Sequence, residues 1–228
     1  MITSAANPRI KWIRRLQDKR SEREAEGLFV IEGIRLAQEA IAARVATRFV
    51  LHTEHIGARE RSLINGLARL GAEIEEASQA ALTAASSTET PPGLLAVVAR
   101  PDLPVPNPRS FVVVADRLAD PGNLGSVLRS AWAAGVEAVF LTPGTVDAYN
   151  PKVVRGGMGA HFHIPIRQGD AAELTRALEG LSIRVAEAKG GERYDRVNWS
   201  GPVALVVGGE AGGVAESWRR TAEAAVHI

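Results

Sequence analysis

The sequence predicts an α/β protein with two domains, a small N-terminal α/β domain and a C-terminal α/β domain with a parallel sheet. Its 228 residues fit two compact domains of roughly 100 residues each. A proline-rich stretch divides the chain near its middle, and short apolar runs alternate with helical patterns on both sides of it. The hydrophobic content of 46% and the charged content of 23% are typical of folded globular proteins.

Helices and strands alternate over the first hundred residues. Asn7-Pro8, followed by Ile10, Ile13 and Leu16 with charges between them, predicts a capped amphipathic helix with a basic outer face. Apolar runs and helical spacing then predict, in order, strand 28–31, helix 34–43, strand 48–51, helix 58–70 and strand 94–98. We therefore expect a small layered domain over residues 1–100.

The best boundary between domains is the stretch 101–110. Four of its eight residues from Pro101 to Pro108 are proline, which disfavours both a helix and a central strand. We interpret it as a linker, so that residues 111–228 form the second domain.

The second domain repeats the alternation with more strongly apolar strands. Strands are predicted at 111–115, 138–141, 183–186 and 203–207, and helices at 123–134, 171–181 and 215–224. Nearly continuous apolar strands between helices indicate a parallel sheet that is covered on both faces.

Several classes of protein are excluded by what the sequence lacks. It contains no cysteine, so disulfides, thiolate metal sites and cysteine nucleophiles are impossible. Apolar runs are too short for a membrane span, and the N-terminus does not resemble a signal peptide, so we expect a cytoplasmic protein. His161 and His163 alternate as on a strand without acidic or histidine neighbours at ligand spacing, which favours a structural role over a metal site.

Basic residues are concentrated at the N-terminus. Residues 1–24 carry seven lysines and arginines against three acidic residues. Such a segment can bind the phosphates of a nucleic acid, but a solvated helix that only keeps the protein soluble would have the same composition. The composition alone leaves both interpretations open.

Two loops could carry chemistry, because ligands bind at the carboxyl ends of parallel strands. The first follows strand 111–115, where Asn123 is predicted to cap a helix that carries Arg129 nearly two turns later. The second follows strand 203–207, where Glu210 stands among the glycines of segment 208–213. An ordinary helix start and a flexible turn are the structural alternatives. A nicotinamide-binding fingerprint does not fit, because its glycine spacing is absent.

Taken together, three ordered motifs resemble those of the SpoU (TrmH) family of RNA methyltransferases. They are Asp120-Pro121-Gly122-Asn123-Leu124-Gly125 with Arg129, Asn150-Pro151-Lys152 with Arg155 and Gly159, and Leu205-Val206-Val207-Gly208-Gly209-Glu210. The first domain also resembles the ribosomal-protein-like RNA-binding domain of many members, through Ile2 to Lys11, Phe29 to Gly33 and Pro92-Gly93-Leu94.

The resemblance implies a SPOUT fold with a C-terminal trefoil knot and a homodimer, while the sequence itself leads us to expect no membrane partner and no metal. It implies transfer of a methyl group from S-adenosylmethionine to a ribose 2′-hydroxyl, most often of ribosomal RNA and alternatively of transfer RNA. The matching catalytic residues are Asn123, Arg129 and Glu210. The matching cofactor residues are Ala186, Gly208, Gly209 and Ile228. The residues expected to bind RNA are Lys11, Arg14, Arg15, Lys19 and Arg20.

Members of the family continue past an Ile-Pro-Met segment into a third motif, Ser-Leu-Asn-Val. Ile228, the last residue of the sequence, resembles the first residue of that segment. Because the third motif supplies cofactor contacts in relatives, the 228-residue form is expected to be inactive if it is a truncation. The alternative expectation is a non-catalytic RNA-binding protein of the same fold.

Overall fold

The structure, a computed structural model, describes residues 1–210 and 212–227. The contacts within it divide the chain into two units. The first unit contains Met1–Pro101 and Tyr149–Phe162, and the second contains Asp102–Ala148 and the described residues from His163 onward. The first unit thus ends where the predicted linker begins, but it also includes a segment that the sequence led us to expect in the C-terminal domain.

Helices and strands are numbered in chain order. The helices are α1 (Pro8–Asp18), α2 (Arg20–Glu26), α3 (Ile34–Ala42), α4 (Ala58–Arg69), α5 (Gln79–Ala85), α6 (Pro121–Ala133), α7 (Pro151–Gly157), α8 (Ala171–Ala177) and α9 (Glu216–Thr221). The strands are β1 (Leu28–Glu32), β2 (Thr47–Thr53), β3 (Glu73–Ala77), β4 (Leu94–Ala99), β5 (Phe111–Asp116), β6 (Ala138–Leu141), β7 (Ile166–Gln168), β8 (Ser182–Ala186), β9 (Glu192–Arg193), β10 (Val203–Gly208) and β11 (Ala224–His227).

The first unit is built on a sheet in the order β1-β4-β2-β3. Strand β4 runs antiparallel to β1 and β2, and β3 runs parallel to β2. The amphipathic prediction for α1 is confirmed, since Ile10, Ile13 and Leu16 are fully buried in the core with residues of α5. Strand β3 was not predicted, because its sequence Glu-Ile-Glu-Glu-Ala lacks the apolar character of the other strands.

A half-buried carboxylate at the end of β1 organises the first unit. Glu32 accepts hydrogen bonds from Gln17 Nε2 at 2.8 Å and from Ser87 N at 2.9 Å, and it also accepts from the hydroxyls of Ser86 and Ser87. Burial opposes ionisation of this carboxyl, but the hydrogen bonds from Ser86, Ser87 and Gln17 together outweigh burial and lower the pKa of Glu32. The ionised form therefore holds α1, β1 and the loop after α5 together.

We expect Glu32→Gln to destabilise the first unit by about 1 to 3 kcal/mol at neutral pH, because the amide cannot accept all of these bonds. A lowered pKa contributes stability that is fully present above the unfolded-state pKa of about 4.3 and is lost as the pH falls through the folded-state pKa. The difference in the free energy of unfolding between Glu32→Gln and the unsubstituted protein should therefore shrink as the pH falls below the unfolded-state pKa. Urea unfolding, followed by hydrogen exchange of first-unit peptides at several pH values, measures it.

The exposed Glu89 provides a matched control for this substitution. Glu89→Gln makes the same chemical change nearby and should leave stability nearly unchanged at every pH. If the loss of stability caused by Glu32→Gln stayed constant or grew as the pH fell, the role given to the ionised carboxylate would be wrong.

The second unit confirms the predicted parallel sheet. Its described strands follow the order β7-β6-β5-β10-β8-β11-β9, and every neighbouring pair is parallel. Val112 and Val206 lie on the face that packs against Leu174 and Leu178 at and just beyond α8. The strands of this sheet bring their carboxyl ends, and the loops that follow them, to one edge.

The predictions for the C-terminal helix and for His161 are wrong. Residues predicted as a helix to 224 form the shorter α9, and the chain continues as β11 between β8 and β9. His161 lies in a short 3-10 helix, Ala160–Phe162, and not on a strand. Its ring packs against Phe29 and Tyr149 within the first unit, which agrees with a structural role.

Neither a metal site nor a membrane span is found in the part of the chain that the structure describes. Histidine and acidic side chains form no group of three or more there that could hold a metal ion. The helices of residues 1–210 and 212–227 lack the length and apolar character that a bilayer-spanning helix needs.

Candidate active site

The two loops singled out from the sequence follow neighbouring strands of the second unit. Strands β5 and β10 pair in parallel register, with Gly208 opposite Asp116 at their carboxyl ends. The loop after β5 leads into α6, and the loop after β10 contains Glu210. The parallel pairing therefore brings the two motifs to the same edge of the sheet.

The start of α6 differs from the prediction in a way that matters for chemistry. Asp120, and not Asn123, is the N-cap, and its Oδ1 accepts a hydrogen bond from Asn123 N at 2.9 Å. Pro121 occupies the first turn, where the missing N–H is no disadvantage. Asn123 is thereby placed inside the first turn of the helix, and its side-chain amide does not serve as the cap. An Asp-Pro pair before a helical pattern is a signal by which the sequence could have identified Asp120 as the cap.

The side chains of Asn123 and Glu210 are in direct contact. Asn123 Nδ2 donates a hydrogen bond to Glu210 Oε1 at 2.6 Å, across 87 positions in the sequence. Both residues line a cavity of about 250 Å³, together with residues of the two loops. The other lining residues are Arg117, Leu118, Ala119, Asp120, Gly209 and Gly212. The carboxylate keeps a second oxygen that can accept a hydrogen bond from a hydroxyl group.

The glycine-rich loop folds back tightly on itself after β10. Gly213 N donates to Gly209 O at 2.8 Å. A Cβ added at Gly208 would overlap the backbone of Gly213, and one added at Gly209 would lie 2.9 Å from Arg117 O. Only glycine fits these two positions without a shift of backbone, so the backbone of the loop lies directly against its neighbours.

The predicted cofactor residues Ala186, Gly208 and Gly209 lie at the same edge of the sheet. Ala186 ends β8, which pairs with β10, and Gly208 ends β10. The fourth, Ile228, lies outside the described residues. A cradle of glycine backbone between strand ends fits a ligand that must approach the main chain closely.

An ion pair joins the residue after β8 to α9. Arg219 Nε lies 2.6 Å from Glu187 Oε1. The hydrogen bond and the negative charge of Glu187 raise the pKa of Arg219, so the guanidinium remains protonated. No local pattern in the sequence signals this pair, because its partners are 32 positions apart.

Arg129 stands apart from the Asn123–Glu210 contact. It follows Asn123 by six positions on α6, which corresponds to about 9 Å along the helix axis. Its side chain is exposed, and it is not among the described residues that line the cavity. The structure therefore brings two of the three predicted catalytic residues together in one cavity, and the catalytic role of all three stays a prediction.

The basic residues predicted to bind RNA fall into two groups within the first unit. Lys11, Arg14 and Lys19 are exposed on or next to α1. Arg15 and Arg20, also exposed, form ion pairs with Glu22 and Glu24.

Arg23 belongs to the same basic segment of the sequence but does not add to its exposed surface. It is only 3% exposed, and its Nη1 donates to the carbonyls of Leu16 and Gln17 at the end of α1. Its charge therefore compensates the carboxyl end of that helix.

Comparison with known protein families matches both halves of the chain. Residues 110–228 match the SpoU rRNA Methylase family. Residues 7–96 match the MRM3-like substrate binding domain.

Among curated proteins, the chain is similar to the 23S rRNA (guanosine(2553)-2′-O)-methyltransferase RlmP of Bacillus subtilis. The two are 34% identical over 215 residues, which cover 93% of this chain and 84% of RlmP. Human mitochondrial rRNA methyltransferase 3 is 33% identical over 69% of this chain, but the chain spans only 39% of its length.

Solved structures show the same fold. A crystal structure of an RNA 2′-O ribose methyltransferase has a TM-score of 0.84 and 35% identity, and the match covers 100% of this chain and 88% of that one. The SpoU methyltransferase AviRb from Streptomyces viridochromogenes, in complex with the cofactor AdoMet, has a TM-score of 0.85 and 26% identity. That match covers 97% of this chain and 88% of AviRb.

Proposed function

The chain belongs to the SpoU rRNA Methylase family, and we propose from this that it is an RNA 2′-O-methyltransferase that acts on ribosomal RNA with S-adenosylmethionine as methyl donor. The observation that carries the proposal is the Asn123–Glu210 hydrogen bond at the carboxyl edge of the parallel sheet, within the part of the chain that matches the family. Transfer of labelled methyl from S-adenosylmethionine to unmodified ribosomal RNA tests it.

The residues present fit the cofactor. Gly208 and Gly209 offer main chain without side chains, and Ala186 ends the adjacent strand β8, so these three would hold S-adenosylmethionine. When bound, the cofactor supplies a methyl group on a sulfonium that is already electrophilic. The protein is left with the task of aligning the ribose oxygen with that methyl group, and alignment of this kind can account for roughly 7 to 11 kcal/mol of a barrier.

Asn123, Glu210 and Arg129 would share that task. The free oxygen of the Glu210 carboxylate would accept a hydrogen bond from the 2′-hydroxyl and take up its proton as the bond from the ribose oxygen to the methyl group forms, while Asn123 keeps the carboxylate in place. Arg129 is not among the described residues that line the cavity, and its match to the family motif supports its role, in which it would donate to the ribose oxygen as negative charge develops there. We assign Arg129 as a donor and not as a base, because a guanidinium stays protonated in proteins.

The first unit would bind the RNA substrate. Its match to a substrate-binding domain and the exposed cations on and around α1 support this assignment. Lysine and arginine contacts to phosphate position an RNA without selecting its sequence, so these contacts leave the modified nucleotide open. Transfer RNA remains the alternative substrate. A homodimer and a cytoplasmic location are further proposals, and they rest on the family resemblance and on the sequence.

We expect the double variant Arg14→Glu/Arg15→Glu to weaken RNA binding at low salt by at least tenfold, because repulsion replaces two attractive interactions with phosphate. The slope of the logarithm of affinity against the logarithm of salt concentration should fall in magnitude by about 0.7 to 0.9 for each phosphate that is no longer neutralised. Fluorescence anisotropy with a labelled ribosomal RNA fragment, at several salt concentrations, measures both effects.

Arg61→Glu/Arg69→Glu on the exposed surface of α4 is the matched control. It changes the net charge of the same unit equally and should reduce affinity only slightly. Equal decreases in affinity for the two double variants would mean that net charge, and not the α1 surface, determines binding. If Arg14→Glu/Arg15→Glu left the affinity for RNA unchanged, α1 would be a solvated helix that does not contact RNA.

A further inference from the structure

The last residue of β5, Asp116, is a buried carboxylate that joins three elements of the second unit. Only 2% of its surface is exposed. Its Oδ1 accepts a hydrogen bond from Thr142 Oγ1 at 2.9 Å, just after β6, and its Oδ2 accepts one from Ala215 N at 2.7 Å, at the start of α9. Arg117 Nε lies 3.5 Å from the same Oδ2. Since a buried carboxylate is tolerated only with such partners, the three elements are held in one arrangement.

Thr142 extends this network to the backbone after β5. Its Oγ1 accepts a hydrogen bond from Arg117 N at 3.0 Å. Arg117 has a φ of 53°, in the left-handed region that residues other than glycine rarely adopt. In this conformation Arg117 O points at Gly209, 2.9 Å from where a Cβ would be. Asp116 and Thr142 therefore hold the turn after β5 in the conformation that packs against the glycine loop after β10.

Both members of the Asn123–Glu210 pair depend on these same two loops. Asn123 lies in the first turn of α6, which is joined to Asp116 by the turn that begins at Arg117. Glu210 lies in the loop after β10, and Ala215 is the last residue of that loop. The hydrogen bond from Ala215 N to Asp116 Oδ2 therefore attaches the end of that loop to the end of β5, the strand that precedes Asn123. The Asn123–Glu210 distance of 2.6 Å requires both loops to be in place.

We propose that Asp116, acting through Thr142 and Ala215, positions the Asn123–Glu210 pair for methyl transfer. The inference rests on the proposed function and assigns a residue that the motifs alone did not. Asp116 is a positioning residue, because it is not among the described residues that line the cavity of Asn123 and Glu210. Misplacement of reacting groups by about 1 Å can lower a rate by about 100-fold, so such a residue can have a large effect.

The first test is Asp116→Asn in the protein expressed from its full reading frame. The amide has the shape of the carboxylate but only one acceptor oxygen, so it cannot accept from both Thr142 and Ala215. We expect kcat, normalised to the folded fraction, to fall about 10- to 100-fold. RNA affinity should stay within about twofold, because the basic surface belongs to the first unit. Asp102→Asn makes the same charge change at an exposed ion pair with Arg167 and should keep the activity of the unsubstituted protein.

A second pair of variants tests the network without changing Asp116. Thr142→Val keeps the side-chain shape but removes the hydroxyl, whereas Thr142→Ser keeps the hydroxyl. We expect Thr142→Val to lower kcat in the same way as Asp116→Asn, and Thr142→Ser to recover most of the loss. Hydrogen exchange of the peptide that contains Ala215 should accelerate in Asp116→Asn, because the N–H of Ala215 loses a carboxylate acceptor and a neutral amide oxygen, where it faces Ala215, accepts more weakly.

Failure of the inference and failure of the proposed function give different results. Wild-type kcat in Asp116→Asn, or a loss of kcat that disappears once the rate is normalised to folded protein, would overturn the positioning role. Recovery by Thr142→Ser together with faster exchange at Ala215 would support it. If the unsubstituted protein transferred no methyl group at all, the proposed function would fail, and a role for Asp116 in methyl transfer would be overturned with it.

Discussion

The Arg129→Ala variant is expected to lower the rate of methyl transfer by about 100- to 1000-fold, the loss that follows removal of one donor to a developing oxyanion. The exposed side chain of Arg129 makes little contribution to the core, so stability should change by less than about 0.5 kcal/mol. Affinity for S-adenosylmethionine should also be retained, because the residues assigned to the cofactor lie on other elements. Single-turnover transfer to ribosomal RNA, with cofactor binding measured by calorimetry, separates these quantities.

Arg176→Ala provides the matched control, since Arg176 is also exposed on a helix of the second unit. It should transfer methyl at the rate of the unsubstituted protein. Arg129→Lys distinguishes the planar fork of the guanidinium from its charge. If Arg129→Lys kept most of the rate at neutral pH, the donor geometry assigned to Arg129 would be wrong.

Gly208→Ala is expected to abolish cofactor binding and methyl transfer together. The added Cβ would overlap backbone atoms of Gly213, and backbone cannot move aside as a flexible side chain can. The loop after β10 would have to open, which removes both the glycine cradle and the placement of Glu210. Overpacking of this kind costs typically about 1 to 3 kcal/mol, so a stability decrease of that size should accompany the loss. Calorimetric titration with S-adenosylmethionine and thermal unfolding measure the two effects.

Gly212→Ala adds the same methyl group to the same loop, but among the described residues, its chain neighbours aside, the new Cβ meets no atom within 4 Å. Its effect on cofactor affinity should therefore be much smaller than that of Gly208→Ala. Similar affinities in the two variants would show that the fold of the glycine loop does not determine cofactor binding.

The fold was predictable wherever one element carried its own pattern. The strands β5 and β6 were predictable from their apolar sequences because nearly all of their residues are buried on both faces of the parallel sheet. Strands β8 and β10 are only partly buried, but they too carry apolar runs in the sequence. Strand β3, with glutamate at three of its five positions, and β11, which follows a short helix, lacked that pattern. Their pairing with neighbouring strands decides their conformation, and a pattern within one segment does not contain that information.

The candidate site was predictable as a set of residues but not as a geometry. The motifs identified Asn123 and Glu210, yet Asn123 was expected to cap α6, a role that Asp120 fills. The Asp116–Ala215 hydrogen bond spans 99 positions, and no local spacing predicts it. Such contacts arise only when β5 and β10 become neighbours in the sheet.

The most direct test of the central claim is transfer of labelled methyl from S-adenosylmethionine to unmodified ribosomal RNA by the protein expressed from its full reading frame. Unmodified transfer RNA serves as the comparison substrate. We predict incorporation into ribosomal RNA at one ribose, detected as a phosphodiester that resists alkaline hydrolysis, and loss of incorporation in Arg129→Ala. Binding of ribosomal RNA with no methyl transferred to either RNA would contradict the proposed activity and would identify a non-catalytic RNA-binding protein of the same fold.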